Sequence, residues 1–288
     1  MQVAVIGANG QLGTELVEIM SRQGHDVLAL SHADIEITDL ESVQQILTSA
    51  KPDVVLNTAA YHVTPQCEQH TDIAFAVNAR GALHLAKVCA DLRSTLVYYS
   101  TDYVFDGAKQ SPYVETDAPN PLNVYAVSKL AGEYFTLNYC PASYVIRVSG
   151  LYGKVPCRAK GGNFITTMIR LAQKKPEVRV VTDEILTPTP TAEIARKTLS
   201  ILNSEQYGVY HLTCEGACSW YEFAREIFTR LNLQTPLYPA TTADFPSPVN
   251  RPLYSVLDNQ RFNRLDVEPM PHWREALQTF LRKNYSQR

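Results

Sequence analysis

No part of this chain offers the roughly 20 consecutive apolar residues that a bilayer-spanning helix needs. The first apolar run, Val3-Ala4-Val5-Ile6, is short and passes straight into glycines, and no secretory signal precedes it. A soluble, cytoplasmic protein with no membrane partner is therefore expected. Charge of one sign is also scarce: a net charge of −3 over 288 residues gives no reason to expect nucleic acid or an anionic surface as partner. Paired C-x-x-C spacing is missing. Cys214 and Cys218 are four apart with no second ligand pair after them, and Cys67, Cys89, Cys140 and Cys157 are scattered. That excludes the usual zinc frameworks and leaves reduced thiols. There is no internal repeat and no low-complexity tract.

What is present is ordinary globular composition, 45% hydrophobic and 19% charged, on a chain long enough for one large or two modest domains. The organising stretch is Tyr125-Ala126-Val127-Ser128-Lys129, the only Tyr-x-x-x-Lys pair among sixteen tyrosines. Residues four apart share a helix face. A lysine charge beside the phenol would favour the phenolate, lower the tyrosine pKa and prepare a proton donor for a carbonyl oxygen. The pair follows Ser100-Thr101-Asp102-Tyr103, a polar cluster that ends the apolar run Thr95 to Tyr99.

Near the start, the strand run Val3 to Ile6 opens into Gly7-Ala8-Asn9-Gly10-Gln11-Leu12-Gly13, and Leu12, Leu16, Ile19 and Met20 then recur at helical spacing up to Gly24. Strand, glycine turn and helix N-terminus make an anion site, and glycines let a backbone approach a pyrophosphate closely. Asp26 to Leu30 reads as a second strand. Ser31 and His32 stand at its end where an acid would select NAD, so NADP is accommodated, while Asp34 keeps NAD open. A third strand, Val54 to Asn57, ends in small residues through Ala60 against which a flat ring can lie, and a long helix is expected from Asp72 to Leu92. Strands alternating with helices predict an α/β fold with a doubly wound, Rossmann-like parallel sheet and ligands at the strand carboxyl ends, where Gly7, Ala60 and Thr101 fall.

Residues 1–150 are expected to form the dinucleotide-binding domain and 151–288 mainly a smaller, substrate-binding lobe, with strands near 178–182 and 208–213 as candidates to return to the first domain. Tyr144 to Val148 is the strand before this boundary. Beyond it, helices are expected near 163–174, 191–203 and 219–231, with a last one around Trp273 to Leu281. The stretch Lys154 to Gly162, with Arg158 and Lys160, reads either as a loop that reaches a phosphate or as solvated surface.

With these motifs placed, the chain resembles the dTDP-4-dehydrorhamnose reductase family of the extended short-chain dehydrogenases/reductases. The resemblance runs through Gly7–Gly13, Ser100–Gly107, Pro121–Tyr125, Lys129–Glu133, Gly162-Asn163-Phe164 and Arg251–Ser255. It implies NADPH as cofactor, NADH being allowed, and a nucleotide-linked 4-dehydro-6-deoxy sugar as substrate. Tyr125 would be the general acid, Lys129 its pKa modulator and nicotinamide-ribose ligand, and Thr101 a hydrogen-bond partner of the substrate C4 oxygen. Gly7, Gly10, Gln11, Leu12, Gly13, Asp39, Leu40, Ala60, Tyr61 and His62 would line the dinucleotide. Thr64, Thr101, Asp102, Tyr103, Gly150 and Asn163 would meet the sugar. Asp102-Tyr103 replaces the Asp-Glu pair of related dehydratases, which favours reduction over elimination.

Three departures fall on the sugar side. Gly150 stands where the family has a sugar-flanking tryptophan, Thr64-Pro65 replaces a Val-Asp pair, and a short basic insertion precedes Asn163. The space left at Gly150 is expected to be filled by His62 or the 154–162 loop. Glu15 and Glu193 match two of the acids that hold magnesium at a dimer interface in some members, but the third has no match, so no metal is expected; a homodimer is allowed for. The alternative reading is a non-catalytic, NADP-binding module resembling the regulatory β subunit of methionine adenosyltransferase.

Overall fold

The computed structural model describes residues 1–157, 159 and 161–285; Arg158 and Lys160, the cations of the expected phosphate-reaching loop, lie outside the described residues. The first half alternates strand and helix as the periodicity requires: β1 Gln2–Ile6, α1 Gln11–Arg22, β2 Asp26–Leu30, α2 Leu40–Ala50, β3 Val54–Asn57, α3 Thr64–Gln69, α4 Thr71–Phe75, a π-helical turn Ala76–Arg80, α5 Gly81–Leu92, β4 Thr95–Thr101, α6 Val124–Tyr139 and β5 Ser143–Val148. The second half is β6 Leu151–Tyr152, α7 Phe164–Lys174, β7 Val178–Val181, β8 Ile185–Leu186, β9 Thr189–Pro190, α8 Thr191–Leu202, β10 Gly208–His211, β11 Cys218–Ser219, α9 Trp220–Arg230, β12 Leu237–Ala240, α10 Gln260–Asn263 and α11 Trp273–Tyr285. Among the described residues, no helix is long and apolar enough to cross a membrane.

Six strands form one parallel sheet in the order β10-β5-β4-β3-β1-β2. The central strands β3, β4 and β5 are buried along nearly their whole length, as parallel strands covered on both faces must be. Strand order reverses between β1 and β3, which opens a crevice at their carboxyl ends. Of the two later strands considered for this sheet, β10 joins it, with Gly208 opposite Tyr144 and His211 opposite Arg147. The other does not: β7 pairs with β12 in a separate ribbon. β10 already covers the β5 edge, and β7 turns Val178 and Val180 inward to the core beneath α9.

The largest apolar core crosses residue 150, joining Val3, Leu16, Val97 and Ile146 to Phe223, Phe262, Trp273 and Leu277. The two parts of the chain thus share one interior. Trp273 is fully buried, 5.9 Å from the Phe223 ring, and fixes α11 against α9. Truncation to alanine there would cost about 3–5 kcal/mol.

Two local features set up the site. α6 starts at Asn123, whose Oδ1 accepts from the Ala126 N–H at 2.9 Å. Its inner face carries Ser128, Lys129, Gly132 and Glu133, all buried. Any side chain at Gly132 would strike the Asn78 carbonyl and the Tyr98 hydroxyl, so glycine lets α6 sit directly on β4 and the π-helical turn. The second feature is that turn itself. The expected single helix from Asp72 to Leu92 is instead α4, a wider turn and α5. The reason lies in Asn78: its Nδ2 donates to Tyr61 O and Ser128 Oγ, both at 2.9 Å, and its Oδ1 accepts from Tyr61 N–H at 2.9 Å. Widening the helix by one residue brings this amide to both partners.

Candidate active site

At the end of β1 the chain turns through Gly7 with φ +77°, where a Cβ would lie 2.7 Å from the Thr58 hydroxyl. Thr58 Oγ1 donates to Ile6 O at 2.8 Å and ties the ends of β1 and β3 together. The Gly10 N–H returns to Gly7 O at 2.9 Å. α1 then begins with no capping side chain and no acid in its first turn. The Gln11, Leu12 and Gly13 N–H groups therefore have no acceptor within the helix, and the positive end of its dipole opens on the cleft lined by Gly7, Gly10, Gln11 and Leu12. Gly13 lies behind the turn: a Cβ there would overlap the Gly7 carbonyl, so this glycine packs helix on turn. Gln11 adds a buried Nε2 without a hydrogen-bond partner. Bare N–H groups, a tight turn and an unpartnered amide donor fit the pyrophosphate of a dinucleotide.

The cleft is about 1700 Å³ in volume, beyond the roughly 300–1,000 Å³ of a site for one small ligand. Cofactor and substrate have room side by side. Ala60, Tyr61 and His62 line it next to the glycine turn, with Ile37 and Thr38 further along. Asp39 and Leu40, expected there, are not among the lining residues. Asp39 is the N-cap of α2, accepting from Glu41 N–H at 3.0 Å, and Leu40 is exposed. The acid at this end is also a different one. Asp34 accepts from Ser31 N–H and Oγ at 2.8 and 2.7 Å, which lower its pKa, and it stays out of the cleft. Glu36 lines it instead, with Oε1 taken by the Thr38 N–H and hydroxyl.

The catalytic candidates meet at the carboxyl end of β4. Tyr125, Thr101 and Lys129 all line the cleft, and the Thr101 hydroxyl, which donates to Asp102 Oδ1 at 3.1 Å, lies beside the Tyr125 phenol. The phenol's pKa is raised, not lowered as expected: burial dominates, the neighbouring Thr101 hydroxyl opposes it and the Asp102 carboxylate adds to it. Lys129 does not counter this, because it is committed to the sheet. Its Nζ donates to Tyr99 O at 2.6 Å and lies 3.9 Å from the centre of the Tyr98 ring. Burial brings the Lys129 pKa down to about 7, with Glu133 pulling the other way. Glu133 sits in a buried pair with Arg147 (2.6 Å) and accepts from Ser100 Oγ at 2.5 Å, directly beneath Thr101.

On the sugar side, Thr64, Asp102, Tyr103, Gly150 and Asn163 all line the same cleft. Two of them are already engaged. Asp102 is buried and accepts from Ser149 and Ser255 hydroxyls at 2.7 and 2.6 Å and from Thr101 at 3.1 Å; burial still leaves its pKa raised. The Asn163 amide caps α7 through Thr166 N–H and donates to Gly153 O at 3.0 Å. The Tyr103 ring stands edge-on to Tyr125, centroids 6.3 Å apart. Pro65 falls in the first turn of α3, where its missing N–H is harmless.

The place of the missing tryptophan is instructive. Gly150 has φ +54°, and a Cβ there would lie 2.8 Å from Leu186 Cδ1 and 3.0 Å from Pro188 Cα. The atoms nearest Gly150 thus come from β8 and the residues after it. His62 and the loop do meet each other, through His62 Nε2 and Cys157 Sγ at 3.1 Å. Sequence reasoning also missed a second aromatic wall. Phe164 and Trp220 stack 4.5 Å apart, Trp220 Nε1 donates to Glu184 at 3.1 Å, and Arg251 lies beside them in the cleft lining. Only the Gly162-Asn163-Phe164 and Arg251–Ser255 stretches carried any signal of it.

The chain matches the model of a family described as RmlD substrate binding domain over residues 1–286. It is 38% identical to the spore coat polysaccharide biosynthesis protein SpsK of Bacillus subtilis (strain 168), over 99% of this chain and 98% of that protein. It is also 38% identical to a dTDP-4-dehydrorhamnose reductase of Aggregatibacter actinomycetemcomitans, over 96% of this chain and 97% of the relative. A crystal structure of dTDP-4-dehydrorhamnose reductase from Bacillus anthracis str. Ames in complex with NADP superposes with a TM-score of 0.93 at 35% identity, covering 98% of this chain and 99% of that one.

Proposed function

Because the chain belongs to the RmlD substrate binding domain family, we propose that its reaction is reduction of the C4 ketone of dTDP-4-dehydrorhamnose to dTDP-L-rhamnose. At the coarser level it is an NAD(P)H-dependent reductase of the extended short-chain dehydrogenase/reductase class. The observation that supports the finer reading is the convergence of Thr101, Tyr125 and Lys129 in the same cleft as the uncapped glycine turn. Bound NADPH supplies a hydride to the C4 carbon. Gly7, Gly10 and the N–H groups of Gln11 and Leu12 hold its pyrophosphate, and Ala60 and Tyr61 present the backbone against which it lies.

Tyr125 gives its phenolic proton to the C4 oxygen as that oxygen becomes an alkoxide. Its raised pKa keeps the phenol protonated at neutral pH, which is the state a donor needs. The neighbouring Thr101 hydroxyl favours the phenolate that remains and offsets part of the cost of charging it. Lys129, fixed by Tyr99 O and the Tyr98 ring, lines the same cleft as Tyr125, and burial lowers its pKa. Asp102 acts on β4: it locks Ser149 and Ser255 and so sets where Thr101 ends the strand.

The deciding experiment follows NADPH oxidation at fixed cofactor with dTDP-4-dehydro-6-deoxy-L-mannose, and with UDP- and GDP-linked ketosugars as controls. Turnover with the dTDP sugar is expected. A flat trace with all three would overturn the reading and restore the non-catalytic, NADP-binding alternative.

A further inference from the structure

His62 and Cys157 face each other across 95 residues of sequence, and neither has a part in the proton transfer described above. His62 follows Tyr61, whose backbone N–H and carbonyl are both held by Asn78, so the imidazole stands on a fixed stretch of the loop between β3 and α3. Its Nδ1 lies 3.2 Å from Ala60 O. A carbonyl oxygen only accepts, so Nδ1 carries the hydrogen and the neutral ring turns a lone pair on Nε2 towards Cys157 Sγ, 3.1 Å away. One proton is then shared between sulfur and nitrogen, the arrangement that makes a cysteine nucleophilic. Cys157 is half-buried and lines the cleft, whereas Cys67, Cys89, Cys140, Cys214 and Cys218 are all buried.

We propose that Cys157 and His62 form a thiol–imidazole pair that is a site of covalent modification, at which a hydroperoxide oxidises the thiol to a sulfenic acid. The thiol proton moves to His62 Nε2. The thiolate attacks one peroxide oxygen, an S–O bond forms and the O–O bond breaks. The departing oxygen takes the proton back from His62 and leaves as water or an alcohol. Sulfur is oxidised, the peroxide is reduced, and the product is reversible by thiols. The added oxygen stands on the cleft lining where Cys157 faces His62, so modification obstructs the sugar end and leaves the glycine turn untouched. This last consequence rests on the reductase reading; the chemistry at Cys157 does not.

The test treats the full chain with hydrogen peroxide in the presence of dimedone and locates adducts by peptide mass mapping. One adduct, on Cys157, is expected, forming at least about tenfold more slowly in His62→Asn. Adducts spread over several cysteines, or equal rates in the two proteins, would overturn the proposal. A second arm needs no variant: iodoacetamide should alkylate Cys157 faster in the native protein than in the same chain unfolded in urea. Slower native alkylation overturns it. For the consequence, peroxide should abolish ketosugar turnover in wild type while NADPH still binds by fluorescence, and Cys157→Ser should keep whatever turnover it starts with. Loss of turnover in both proteins alike would refute obstruction through Cys157, and an absence of turnover before any peroxide would fault the reductase reading and leave the labelling result standing.

Discussion

On one wall of the cleft, the groups that meet a ligand are main-chain atoms at the ends of parallel strands; on the opposite wall they are side chains drawn from distant segments. Gly7, Gly10 and the first N–H groups of α1 need only a strand, a turn and a helix to be in place. The other wall takes Thr64 from α3, Asp102 after β4, Cys157 and Phe164 around α7, Trp220 from α9 and Arg251 near the end of the chain. Backbone geometry tolerates substitution of neighbouring side chains, whereas a side-chain wall changes with each of them. The departures at Gly150, Thr64-Pro65 and the loop before Asn163 all fall on the second kind of wall.

Damage beneath the first wall should be the most severe. Glu133→Ala leaves the Arg147 guanidinium buried without its partner and Ser100 without its acceptor. A loss of about 3–5 kcal/mol in urea unfolding is expected, and a loss below about 1 kcal/mol would mean that water reaches the pair. Tyr125→Phe should follow, lowering turnover at least about a hundredfold, the usual scale of removing a general acid, with NADPH affinity kept. Wild-type turnover in that variant would remove Tyr125 from the chemistry.

Gly150→Trp probes the other wall. Its Cβ is met by Leu186 and Pro188, so overpacking of about 1–3 kcal/mol is expected together with no improvement in KM for the dTDP ketosugar. A lower KM at unchanged stability would show that the space is simply open. Lys129 gives a subtler signal. Its folded pKa, about 7, lies below the ordinary lysine value of 10.5. The unfolded chain therefore binds more protons above pH 7, and stability should rise between about pH 7 and 8.5 with a slope approaching ~1.4 kcal/mol per pH unit. Above that range the buried thiols and phenols, whose pKa values are raised, act in the opposite sense. Lys129→Met should flatten the rise, and an unchanged slope would assign it to another group. The smallest effect is at Asp39→Ala: loss of a helix cap, about 1 kcal/mol, with the NADPH dissociation constant hardly moved. A large change in that constant would return Asp39 to the cofactor wall.

The same contrast decides what was legible in the sequence. The turn from Gly7 to Gly13, most of the strand–helix alternation and the Tyr125/Lys129 pair are local patterns, legible within short windows of sequence. Thr38 lines the cleft while Asp39, the next residue, caps α2, a difference made by helix-start geometry that no motif carries. The π-helical turn that presents Asn78 has no sequence signature, since its cause is a partner at Tyr61 and another at Ser128. The effect of Lys129 on Tyr125 was misjudged because spacing alone omits burial, which dominates both pKa values. Neither the β7–β12 ribbon nor the His62–Cys157 contact leaves a trace within any short window.

The bond from Ser255 to Asp102 has a consequence in time. The two residues are 153 apart, an interval of roughly 8–30 s at a synthesis rate of about 5–20 residues per second. For that long, a chain emerging from a ribosome has its glycine turn and the strands β1 to β4 while the carboxylate at the end of β4 still waits for a hydroxyl not yet made. The sheet's own edge waits too, since β10 begins only at Gly208. Chains arrested at successive lengths should therefore protect the first strands from protease well before the corner at Asp102, and the species most in need of a chaperone is the one that already holds a finished dinucleotide turn.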